Sequence, residues 1–241
     1  MSVINPWLGI GLVLAILGVL LVALAHLSRR RHPEVVRKML HVGMGSVTLS
    51  FPWLFAQVWP VVVLAGVSLL AFLCLRIHPA IGAWLGPAIH GVSRASLGEM
   101  YFVLGACVVF VLSMGDALLF CIPMLVLTLA DAAAALIGTR FGRHPYAFNR
   151  GRKTLEGSAA FFVVALACVY LPLSWYASGN YLMVALTVAA LATGIEAMSG
   201  RGLDNVLIPV GVFAMLTVNC FATGHSSCLV IWPDARTQLM A

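Results

Sequence analysis

The sequence predicts an all-α, polytopic integral membrane protein, a bundle of about eight transmembrane helices. Three observations carry that expectation. Of the 241 residues, 62% are hydrophobic and only 9% are charged, whereas a soluble domain carries about 25% charged residues. Eight apolar segments approach the ~20 residues that a membrane helix needs. Finally, eight crossings send the loops at 29–38, 76–98, 139–157 and 199–204 to one side, and those loops hold thirteen of the fourteen Lys and Arg residues. A missed or invented helix would scatter the basic residues over both sides.

The first segment, 7–28, has no Lys or Arg before it and "RRRH" directly after it. A cleaved leader has the opposite charge order, so a retained anchor is expected. The second and third segments, 41–57 and 60–75, are joined by "QVWP" as a helical hairpin. The stretch 76–98 is too short and too mixed to span, and it is expected to lie at the interface with Trp84 as an anchor. Segments 100–115 and 117–138 meet at the tight turn "SMGD", and 158–175, 181–198 and 205–223 complete the set. One membrane-embedded domain therefore covers 1–223, and 224–241 is a short tail. The six cysteines form no CxxC pair and mostly sit in apolar runs, so they read as small apolar residues.

The positive-inside rule makes the basic side cytosolic and puts both termini outside the cytosol. The acidic residues follow the same geography. Glu34, Glu99, Asp131, Glu156, Glu196 and Asp204 fall at or near the basic side, and only Asp116 and Asp234 do not. Polar chemistry is thus gathered at one membrane face. This pattern disfavours a transporter, whose ionisable residues should mark a path across the bilayer.

Glu99, Glu156 and Asp204 stand where helices begin, and there a carboxylate caps free N–H groups and meets the positive end of the dipole. Capping alone would account for them. Asp131 and Glu196 lie near C-terminal helix ends, where the dipole disfavours them. A carboxylate at membrane depth costs roughly 2.5–3.5 kcal/mol on insertion scales. Something cationic must compensate: a basic side chain, a metal ion, or a nucleotide–metal complex. Ala134, Ala135 and Gly138 follow Asp131 at helical spacing, with Gly142 beyond. Such a small-residue face suits close helix packing as well as the approach of a ligand. The basic, glycine-bearing run "TRFGRHPYAFNRGRKTLEGS" leads into a helix N-terminus. It suits anionic headgroups or a polyphosphate. It is not a Walker A loop. In "VRKMLHVGMG", Arg37 and His41 share a face beside Lys38.

Taken together, "RKMLHVGMG", "SLGEMYFVLG", "LADAAAALIGTRFGRHPY", "RKTLEGSAAFF" and "IEAMSGRGLDNVLIPV" resemble the CTP-dependent polyprenol kinase family. That family comprises phytol, farnesol and dolichol kinases and lies within the phosphatidate cytidylyltransferase superfamily. The resemblance spans 37–210, and the LGE and GLDN segments are most similar to the phytol kinase-like branch. It departs at His144, where many relatives carry Lys. What it implies is transfer of the CTP γ-phosphoryl group to an isoprenoid alcohol in the bilayer, giving CDP and a prenyl monophosphate. The alternative is a lipid cytidylyltransferase.

On that resemblance Asp131 and Glu196, with Glu156, are expected to hold Mg²⁺. Arg140, Lys153 and Arg152 are expected to clamp phosphates, with Gly138 and Gly142 allowing backbone approach. Glu99 or Asp204 would position the alcohol or take its proton, and Asn205 would join Asp204 at the nucleotide. Arg37, Lys38 and His41 would close the site. No nucleic-acid partner is expected, and the sequence does not give an oligomeric state.

Overall fold

The computed structural model describes residues 4–28, 33–77, 97–148, 151–176, 180–200 and 202–222. The expected interfacial segment around Trp84, the tail at 224–241 and the side chains of Arg152 and Glu34 lie outside the described residues. The helices are α1 (Pro6–Leu27), α2 (Pro33–Thr48), α3 (Phe51–Leu54), α4 (Trp59–Ile77), α5 (Gly98–Ser113) and α6 (Ala117–Phe141). A hairpin of β1 (Pro145–Phe148) and β2 (Gly151–Thr154) follows, then α7 (Leu155–Tyr176), α8 (Leu182–Met198) and α9 (Asp204–Ala222). The fold is all-α apart from that hairpin. Among the described residues α1, α6 and α7 are long and apolar enough to cross a membrane, while α4, α5, α8 and α9 carry shorter apolar stretches.

Local chemistry sets the element ends. Asn5 caps α1 by accepting from the Trp7 N–H at 2.9 Å. The chain turns between α5 and α6 through Met114 (φ 49°) and Gly115 (φ 89°). Asp116 then caps α6, accepting from the Leu118 and Leu119 N–H groups at 2.9 and 3.0 Å. Helix two differs from its expected bounds of 41–57. It begins at Pro33, which suits the first helical position, and α3 is split off at "FPWL", where Pro52 has no N–H to continue a ladder. Arg37, Lys38 and His41 therefore sit inside α2 and are held rigidly by it.

At the end of the bundle opposite the basic loops, Phe51, Phe110 and Phe120 lock α3, α5 and α6 together. The Phe110 and Phe120 rings meet edge to face at 5.2 Å, and Phe51 stacks on Phe120 at 6.4 Å. Such pairs contribute about 0.5–1.5 kcal/mol each beyond area burial. Helix α6 is the central rod: 67% of its apolar window is buried, against 28% for α1. It is not uniformly α-helical. Pro123 lies within it, and Val126–Ala130 widens into a π turn just before Asp131. Proline offers no N–H to the preceding turn, and single π turns recur at functional sites.

The basic run after α6 is not a plain loop. It forms the antiparallel hairpin in which Tyr146 pairs with Lys153 and Pro145 with Thr154. Four-residue strands in a basic, proline- and glycine-bearing stretch leave little hydrophobic alternation to read, so the sequence reading missed them. The small-residue face finds its partner in α7. A β-carbon on Gly157 would lie 2.9 Å from the Ala134 carbonyl oxygen and 3.3 Å from the Gly138 Cα. That is close helix packing of the small-residue kind.

Candidate active site

Two buried ion pairs form the centre of the polar end of the bundle. Lys38 of α2 donates to Asp131 Oδ2 at 2.6 Å and to the Asp131 carbonyl oxygen at 3.3 Å. Lys153 of β2 donates to Glu196 Oε1 at 2.6 Å and also to the Glu196 carbonyl oxygen. Each lysine thus grips the carboxylate and the main-chain oxygen of one acidic residue. For Glu196 the geometry follows from its place near the end of α8, because the last carbonyls of a helix have no intrahelical donor. Side-chain exposure is 5% and 12% in the first pair and 19% and 7% in the second. Neither is a surface bridge: the Lys38–Asp131 pair has left water, the Lys153–Glu196 pair is part-buried at its lysine, and in each the charges depend on one another.

Asp204, the first residue of α9, lies within electrostatic reach of both pairs, since it interacts with Asp131, Lys153, Lys38 and Glu196. Arg37 in turn reaches Asp131 and His41. Three basic groups, Arg37, Lys38 and Lys153, thereby face three carboxylates, Asp131, Glu196 and Asp204.

His41 joins the π turn to this cluster. Its Nε2 stands 3.0 Å from the Leu127 carbonyl oxygen and 3.4 Å from Asp131 Oδ2. A π turn shifts the helical register by one residue and loosens its carbonyls, and His41 fills that gap. Its ring meets Phe102 of α5 edge-on at 5.2 Å. Across the π turn, a β-carbon on Gly45 would collide with the Thr128 hydroxyl, which is buried and has no hydrogen-bond partner among the described residues.

The hairpin orients the second pair. Tyr146, opposite Lys153, places its hydroxyl 2.6 Å from Ser158 Oγ, and Ser158 donates to Glu196 Oε2 at 3.3 Å. Tyr146, Ser158, Glu196 and Lys153 therefore form one network. The sequence reading assigned no role to Tyr146 or Ser158. The available signal was their place at the ends of the "HPY" and "KTLEGS" runs.

Several expected site residues stand elsewhere. Glu156 does not join Asp131 and Glu196: its Oε1 pairs with His144 Nδ1 at 2.7 Å, on an exposed edge. Among the described residues no three His, Cys, Asp or Glu side chains stand close enough to hold a metal ion by themselves. Arg140 is exposed, with its guanidinium 5.4 Å from the Phe141 ring centre. Gly138 and Gly142 do not form an open cradle, because Thr154 occupies the space beside both. Asn205 is buried and ties α9 to α5, donating from Nδ2 to the Gly98 carbonyl at 2.8 Å. Glu99 lies in the first turn of α5, half-buried, one residue beyond Gly98. These positions have a common cause. The small and polar residues around α6 and α7 serve helix packing and strand ends, and the charged centre is assembled from residues distant in sequence.

The phytol kinase of Synechocystis sp. is 33% identical over 213 residues, covering 85% of this chain and 88% of the relative. This chain belongs to the phytol kinase family. No protein-family profile and no solved structure matches it.

Proposed function

We propose that the protein transfers the γ-phosphoryl group of CTP to an isoprenoid alcohol dissolved in the membrane, giving CDP and a prenyl monophosphate. The supporting observation is the pair of buried lysine–carboxylate contacts, Lys38–Asp131 and Lys153–Glu196, with Asp204 in reach of both. They occur in a chain related to a phytol kinase. A buried pair is worth little to stability compared with an apolar replacement, so two of them at one end of a membrane bundle call for a chemical reason. Phosphoryl transfer supplies it, because the reaction needs charges placed in advance more than it needs a strong base.

In this reading Lys38 and Lys153, with Arg37, neutralise the phosphates. Asp131, Glu196 and Asp204 are hard oxygen donors of the kind Mg²⁺ takes. The ion typically uses one or two carboxylates together with substrate phosphates rather than an all-protein cage. The donor set fits a magnesium that arrives with the nucleotide, and it would supply charge neutralisation across the phosphate oxygens. His41 orients the alcohol hydroxyl, and Asp204 or Glu99 takes its proton. The lysines hold the carboxylates in place until the phosphates draw them away.

The orientation follows from the loops. Eight crossings would put the pairs at the cytosolic face, where CTP is dissolved, and both termini outside. CTP labelled separately in the α and γ positions tests the reaction with purified protein and vesicles that carry both a prenol and phosphatidate. Gamma label in the lipid product supports the kinase. Alpha label would make the protein a cytidylyltransferase, and label in neither would leave the ion pairs to another role, such as ion passage.

A further inference from the structure

A cavity of about 240 Å³ lies between α1, α2, α4 and α5. Its lining is almost wholly apolar: Leu17, Leu40, Met44, Leu64, Phe72 and Phe102 are typical. The hydroxyl of Thr48, one of its few polar side chains, is taken up by the Gly45 carbonyl at 2.9 Å.

Two features set this cavity apart from a packing defect. The first is where it begins. Arg37, His41, Met44 and Thr48 follow one another at helical spacing, so they share one stripe of α2. The stripe leaves the charged centre at Arg37 and His41 and enters the cavity at Met44. Phe102 stands at the junction, lining the cavity on one side and meeting the His41 ring on the other. The second is where it opens. Gly18, Val67 and Ala71 line it and are exposed. A β-carbon on Gly18 would meet nothing within 4 Å. Among the described residues the wall between α1 and α4 therefore parts toward the lipid. Val61 and Phe72, at opposite ends of the lining, belong to one continuous helix. Their spacing gives a length of roughly 16 Å, the reach of about three to four extended isoprene units.

We propose that this cavity holds the hydrocarbon chain of the alcohol, which enters sideways from the bilayer between α1 and α4 at Gly18. The chain lies along the Met44–Thr48 face with its hydroxyl at His41 and Asp131. The far end, at Val61, Ala65 and Phe51, limits chain length. This inference rests on the isoprenoid-alcohol reading above.

The test compares Ala65→Phe at the far end, Gly18→Phe at the mouth, and Gly66→Phe as a control. Gly66 lies outside the lining, and its β-carbon would meet nothing within 4 Å. The substrates are geraniol, farnesol and geranylgeraniol. A geranylgeraniol bearing a photoreactive group at its hydrocarbon end reports where the chain sits, independently of turnover. For Ala65→Phe the specificity ratio of geranylgeraniol to geraniol falls roughly tenfold, the loss from about two methylenes that no longer find cover. Gly18→Phe lowers kcat/KM more than kcat, and Gly66→Phe matches the wild type. The photoprobe labels the α4 peptide around Val61 to Ala65, and excess farnesol displaces it. Labelling without turnover would overturn the kinase reading and leave the chain site standing. Turnover with an unchanged length ratio, or with labelling confined to other helices, would overturn the chain site alone.

Discussion

Replacing Asp131 with Asn separates structure from chemistry at the centre of the site. The substitution removes a charge from a pair whose Lys38 side chain is only 5% exposed. Breaking a buried pair on one side costs about 3–5 kcal/mol. Two features move this case to the lower end of that range. Asn keeps an oxygen to accept from Lys38, and Asp204 lies within electrostatic reach of the orphaned ammonium. A loss of about 3 kcal/mol in a chain of this size corresponds to a melting temperature lower by roughly 6–12 °C. The second variant is Lys38→Met/Asp131→Asn, which removes both charges. It should regain most of the lost stability, because replacing both partners of a buried pair is often neutral. Turnover should not return with it. Each variant should stay at least about 100-fold below wild type, the usual effect of losing a preorganised charge at a transition state. The assays are thermal unfolding of the purified protein in micelles and transfer of labelled γ-phosphoryl to prenol. A double variant that regains both stability and turnover would show that the pair only supports the fold. A single Asn variant that melts with the wild type would show that Lys38 does not depend on Asp131.

Other substitutions probe the surroundings. Arg140→Ala should leave turnover within about threefold and stability within about 0.5 kcal/mol of wild type, because its side chain is exposed; kinetics and melting check both. Gly157→Ala puts a methyl against the Ala134 carbonyl and should cost about 1–3 kcal/mol, visible as a smaller monodisperse peak in size-exclusion chromatography. Tyr146→Phe removes the hydroxyl that holds Ser158 and should cost about 1 kcal/mol. Because the Lys153–Glu196 pair loses its brace, the KM for nucleotide should rise more than kcat falls.

Hydropathy alone located most of the helices, because lipid-facing and core residues are equally apolar. It also exposed Asp131 and Glu196, which stand out against that background. What it did not reveal was their counter-charges. Lys38 lies 93 positions from Asp131, and Lys153 lies 43 from Glu196, and no local pattern links residues at such distances. The sequence did place Lys38 and Lys153 at the same end of the bundle as Asp131 and Glu196, and that limited the choice of partners. The glycines illustrate a different limit. Gly138 and Gly142 suited a ligand or a neighbouring helix equally well, and only the position of Thr154 and Gly157 decides between them. The π turn left no compositional trace beyond Pro123, since "VLTLA" suits a regular helix as well as a widened one.

That widened turn makes α6 two helices sharing one axis with independent phases. The half before Val126 is keyed to the aromatic cluster by Phe120. The half after Ala130 is keyed to α7 and to Lys38. If the same residues closed into a regular α-helix, the extra residue would carry everything downstream round by about 100°. Asp131 would rotate off its lysine while every apolar residue stayed at its membrane depth. The surplus residue works as a phase shifter: it lets one continuous span satisfy two sets of neighbours that a regular helix would force out of step.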